Sequence, residues 1–102
     1  MSTVIYDFDW DPDKARSNQR KHGVSFRLAT SVFRDPLALT IYDEEHSGNE
    51  DRWVTLGQAE NGQLLVVVHT WNWSEPAEVK VRIISARRAD QRESRDYRHP
   101  PR

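Results

Sequence analysis

The chain has no cysteine among its 102 residues. A disulfide framework and a thiolate metal site are therefore excluded, and a reducing compartment is compatible with the sequence. No apolar run approaches the ~20 residues that a membrane-spanning helix needs, so no membrane partner is expected. The opening Met1-Ser2-Thr3-Val4 carries no basic region followed by an apolar stretch, which predicts no secretion signal and a cytoplasmic protein. Internal repeats and low-complexity linkers are also missing. These absences point to one domain over residues 1–102, with 99–102 expected as a disordered tail.

What is present is polar but not disordered. Charged residues make up 30% and apolar residues 36%, yet ten aromatics, four of them Trp, supply the bulk for a core. A chain of this length buries roughly two-thirds of its unfolded surface, enough for a core without staples. The net charge of −1 hides a strong pattern. Residues 11–34 hold six Lys/Arg against two acids, residues 35–51 hold six acids and no base, and residues 79–102 hold eight Lys/Arg against three acids. Two basic blocks thus flank an acidic one. Such blocks suit a polyanion, although solvated helix faces and a loop would give the same pattern.

Val4, Tyr6, Phe8 and Trp10 alternate with polar residues and predict a strand from Val4 to Trp10. Asp11-Pro12 then starts a helix, with Asp as the cap and Pro at the first helical position. That helix runs to about Lys21, and Gly23 closes it. Ser25 caps a second helix over 26–33, with Phe26, Ala29, Val32 and Phe33 facing the core, until Asp35-Pro36 ends it. Strands follow at Leu37–Tyr42, Arg52–Gln58, Leu64–His69 and Val79–Ala86, with Asn61-Gly62 as a hairpin turn. Residues 43–50 read as an acidic loop and 71–77 as a wide loop. Residues 89–98 read as a short polar helix whose thin apolar face needs a partner to be ordered. The sum is an α+β domain in which an N-terminal strand and two helices pack on an antiparallel sheet, followed by a short C-terminal helix.

Cutting RNA without a metal needs a base for the 2′-hydroxyl, an acid for the leaving oxygen, and cations for the phosphorane. Arg82 is the sharpest candidate. It interrupts an otherwise core-like strand, where a charge needs water, a phosphate or a carboxylate such as Glu50. Arg87 and Arg88 follow at the strand end, and Lys80 precedes on the same strand. Glu50 suits a general base or an orienting partner for Arg52. His22, beside Lys21 at a helix end, suits either acid–base chemistry or capping of carbonyls. Asp43, Glu44, Glu45 and His46 give only a weak metal signal, because consecutive residues point apart and no second His lies at i+4. Neither metal nor cofactor is therefore expected. Trp71 and Trp73 could stack on bases or plug the core.

The order Asp9-Trp10-Asp11-Pro12-Asp13-Lys14-Ala15, Asn18, Lys21-His22-Gly23-Val24-Ser25-Phe26, Ala29 and Val32-Phe33-Arg34-Asp35-Pro36 resembles the N-terminal signature of the BrnT family. The resemblance continues through Asp43, His46-Ser47, Glu50-Asp51-Arg52, Leu56-Gly57 and Arg82 to Arg87. BrnT proteins are similar to RelE-type toxins. The resemblance implies a ribonuclease toxin of a type II toxin–antitoxin pair that cleaves RNA and inhibits translation. It also implies a BrnA-like antitoxin with a ribbon-helix-helix domain, a 2:2 heterotetramer, and operator DNA bound through that antitoxin. By matching position it implicates Lys21, His22, Glu50, Arg52, Arg82 and Arg87; the first five are expected in catalysis, and Arg87, together with its neighbours on the strand Arg88 and Lys80, is expected on phosphate. An inactive binding module acting as co-repressor is the alternative. The chain departs from the family pattern in the Trp71–Pro76 loop and the Pro-rich end.

Overall fold

The computed structural model describes residues 4–100. The chain opens with β1 (Ile5–Asp9), α1 (Pro12–His22), α2 (Phe26–Thr30) and a 3-10 turn at Ser31–Arg34. Strands β2 (Leu39–Tyr42), β3 (Trp53–Gln58), β4 (Leu64–His69), β5 (Asn72–Glu75) and β6 (Glu78–Arg88) follow, then α3 (Gln91–Arg98). The fold class is α+β, as the sequence pattern predicts.

Local chemistry sets the helix ends. The Asp11 side chain accepts from the Asp13 N–H at 2.8 Å, and Gly23 takes the left-handed conformation with φ 65°. The Ser25 hydroxyl accepts from the Leu28 N–H at 3.0 Å. The expected single helix over 26–33 instead tightens after one turn. Ser31 bonds back to the Leu28 carbonyl and also accepts from the Glu60 N–H, which pulls this segment onto the end of β3. Gly57 permits that approach, since a Cβ there would lie 3.1 Å from Ala38 Cβ and 3.2 Å from Val32 Cβ.

The sheet corrects the sequence reading in two places. Its order is β1-β6-β4-β3-β2, with β5 paired to β6. β1 joins parallel to β6, so the sheet is mixed rather than purely antiparallel. The wide loop expected at 71–77 contains β5, which pairs antiparallel with the start of β6. All four β5 residues are exposed, so no burial alternation marks it as a strand. Of the tail expected at 99–102, His99 caps α3 through its N–H to the Arg95 carbonyl, and 101–102 lie outside the described residues.

One face of the sheet holds the core. Val79, Val81 and Ile83 of β6 and Leu65 and Val67 of β4 bury against Val24, Phe26, Ala29 and Val32. Tyr6, Phe8, Phe33 and Trp71 close one end as an aromatic cluster. On the opposite face, Leu39, Ile41, Val54, Leu56 and Val66 line an open groove flanked by Glu93 and Asp96 of α3.

Candidate active site

The site gathers where β1 stops covering β6. Asp9, the last residue of β1, lies opposite Arg82, and beyond that point no strand among the described residues covers this edge of β6. The helix α1 takes over. The Asn18 side chain donates to the Ala86 carbonyl at 2.8 Å and accepts from the Ala86 N–H at 3.1 Å, as a neighbouring strand would. It also donates to the Val24 carbonyl at 2.9 Å, which fixes the turn after the helix. One buried carboxamide thus sets the distance between α1 and β6.

Alternation on β6 turns Lys80 and Arg82 away from the core, because Val79, Val81 and Ile83 face it. The Arg82 backbone is pinned to Thr70: its N–H donates to Thr70 Oγ1, and its carbonyl accepts from the Thr70 N–H, both at 3.0 Å. Its guanidinium meets Glu50, at the end of the acidic loop, in an ion pair. The two side chains are 44% and 43% exposed, so water and anions reach the pair. Arg52 precedes β3 and shares the face of Val54, which is also that of Arg82. Ser47 Oγ accepts from its N–H at 2.9 Å, and its carbonyl accepts from the Asp43 N–H at 2.9 Å. Among the described residues its side chain forms no ion pair.

Two recesses run along the crease between α1 and β6. The first, about 270 Å³, is lined by Asp11, Lys14, Arg82, Ile83 and Ile84. The second, about 160 Å³, is lined by Lys14, Ser17, Asn18, Lys21, His22, Ile84 and Ser85. Arg82, Lys21 and His22, far apart in sequence, therefore lie along one crease, joined by Lys14. Lys14 belonged to the signature but carried no role in the sequence reading. Its position is legible in retrospect as the residue seven before Lys21, two helical turns along the same face.

Other candidates lie elsewhere. Arg87 is held by Glu93 through two bonds of 2.8 Å. That pairing, opposed by burial, raises the Arg87 pKa, and the hydrogen bond from Arg87, also opposed by burial, lowers that of Glu93. Arg87 and Arg88 sit five and six residues along β6 from Arg82, roughly 16 to 20 Å away at strand spacing. Lys80 is exposed between Asp7 and Asn72 on the neighbouring strands. Trp71 packs against Tyr6 and His69 and plugs the core, while Trp73 is 57% exposed. His46 pairs with Asp43 at 3.0 Å. Among the described residues, no three His, Asp or Glu side chains gather as a metal site would require.

The sequence pattern gives His69 no role beyond ending the apolar strand Leu64–His69. It is fully buried, bonded to Thr55 Oγ1 at 2.7 Å and to the Thr70 carbonyl at 2.8 Å. Burial pushes its pKa down to about 4, against the opposing pull of the Thr70 carbonyl. Thr70 links this buried ring to the Arg82 backbone.

Residues 10–93 match the family model described as the ribonuclease toxin BrnT of type II toxin–antitoxin systems. The chain belongs to the BrnT family. Among curated proteins none matches it significantly. Among solved structures it is similar to the Brucella abortus ribonuclease toxin BrnT, at 22% identity and a TM-score of 0.53, over 89% of this chain and all of that one. The likeness establishes a shared BrnT fold. Membership in the family implies a cognate antitoxin and an RNA substrate.

Proposed function

We propose that this BrnT-family chain is a metal-independent endoribonuclease toxin that cuts RNA in the cytoplasm and inhibits translation. The observation that carries the reading is the exposed Arg82–Glu50 pair beside a crease that also holds Lys14, Lys21 and His22. Arg82 and Arg52 clamp the scissile phosphate, since a guanidinium fork matches its oxygens. The incoming phosphate displaces Glu50 from Arg82. The freed carboxylate, or His22, takes the 2′-hydroxyl proton as that oxygen bonds to phosphorus, the P–O5′ bond breaks to leave a 2′,3′-cyclic phosphate, the leaving 5′-oxygen takes a proton from water, and Lys21 stabilises the charge that develops. Arg87, Arg88 and Lys80 then act, at most, on more distant phosphates. A BrnA-like ribbon-helix-helix antitoxin neutralises the toxin in a 2:2 heterotetramer and carries the pair to operator DNA.

One observation favours a second reading. Arg82 is already engaged by Glu50, as expected if the chain only binds its antitoxin and co-represses transcription. Expressing the chain alone separates the two. Growth arrest with RNA fragmentation supports the nuclease, and normal growth with intact RNA and soluble protein refutes it. Arg82→Ala and Arg52→Ala should each abolish the arrest while leaving a folded protein. Unfolding of both would show instead that the arginines are structural.

A further inference from the structure

We infer that the α1–β6 crease is an RNA-backbone track and that Lys14 is the phosphate-binding residue joining its two ends. The inference rests on the ribonuclease reading and specifies the path its substrate takes. Lys14 lines both recesses, with Arg82 on one side and Lys21 and His22 on the other. Lys14 and Lys21 are exposed, and among the described residues neither forms an ion pair. The one acid on the lining, Asp11, is occupied in capping the Asp13 N–H. Ser17 and Ser85 add half-buried hydroxyls for which the described residues supply no hydrogen-bond partner.

The shape selects the ligand. Seven residues of helix separate the two lysines, about 10 Å along the axis. A crease that carries Arg82, Lys14 and Lys21 in turn, with hydroxyls between the lysines, suits an extended strand with repeating phosphates better than a compact anion. Ile84 forms part of its floor in both recesses. The Asn18 bonds to Ala86 hold the two walls at fixed spacing, so the track exists before RNA arrives.

The test is binding of a fluorescent 2′-O-methyl RNA oligonucleotide, which lacks the attacking hydroxyl and stays intact. Lys14→Gln and Lys21→Gln, each checked for folding by circular dichroism, should weaken binding on the order of three- to tenfold at low salt. Each should reduce the log–log salt slope by about one. Arg27→Gln, an exposed cation on α2 outside the crease, should bind as the unmodified chain does. Unchanged affinity and slope in both lysine variants, with Arg82→Ala impaired, would overturn the track while leaving the ribonuclease reading intact. Loss of antitoxin binding with RNA binding unchanged would assign the crease to the protein partner and also overturn it. Failure of the unmodified chain to bind or cut any RNA would overturn both readings.

Discussion

Asn18 stands at the edge of β6 where, among the described residues, no strand pairs. Its side chain satisfies the carbonyl and the N–H of Ala86 and the carbonyl of Val24, and it is only 6% exposed. Removing it strands three backbone groups where water cannot reach easily, and each orphaned group costs about 1 kcal/mol or more. Asn18→Ala should therefore lower stability by about 3 kcal/mol in urea denaturation, with the slope unchanged. A loss below about 0.5 kcal/mol would show that water replaces the side chain. Asn18→Asp should be worse than its size suggests. A carboxylate keeps the acceptor for the Ala86 N–H but faces two carbonyl oxygens without a donor. In the sequence Asn18 stands out only as a member of the family signature, because the edge it completes lies 68 residues away. Arg82 was easier to read. A lone cation in an apolar strand announces a partner, and Glu50 is one that the acidic loop can supply.

The C-terminal helix shows how an element with no buried residue stays ordered. Asp90 and Glu93 form a capping box, and Glu93 also grips Arg87. The Tyr97 hydroxyl donates to Asp35 at 2.6 Å, and Asp35 also accepts from the Gln58 and Leu37 N–H groups at 2.8 and 2.9 Å. Burial would raise the Asp35 pKa, but these three donors together lower it. The same bond, aided by burial, pushes Tyr97 up to about 12. Tyr97→Phe should speed amide exchange across residues 91–98 while the sheet exchanges as before; equal protection there would show that the capping box alone holds the helix. A raised tyrosine pKa stabilises the fold below its ordinary value near 10, and that contribution is lost as pH climbs toward 12. High pH should therefore loosen α3 in the same way as the substitution. The need for a partner was legible from the thin apolar face of 89–98. The partner was not, since Asp35 reads locally as the stop of the helix expected over 26–33. The same limit applies to β1 and β5. Their partners on β6 are set by tertiary pairing, and for β5 no alternation of burial marks the strand. The helix ends and the 61–62 turn were legible because caps and tight turns are decided by residues within one turn of each other.

At the scale of the whole molecule, a buried imidazole couples folding to pH. His69 lies between Thr55 and the Thr70 carbonyl, edge-on to Phe33 with centroids 4.8 Å apart, inside the cluster that joins β1, β4 and the 3-10 turn. No charged group is among its hydrogen-bond partners, so an imidazolium there would be desolvated without compensation. The unfolded chain protonates this residue near pH 6.5, the folded chain only near 4. Between those values the unfolded state binds the extra proton, so stability falls as pH falls. From pH 7 to pH 5 the expected loss is about 2 kcal/mol. Asp35 adds a further loss only in the carboxylate range below, because its pKa is lowered from 3.8. Urea denaturation across this window should show the decline. In His69→Gln, which cannot take up the proton, stability should be lower at pH 7 but nearly flat down to pH 5. A flat profile in the unmodified chain would mean that the buried ring gains its proton in the folded state after all.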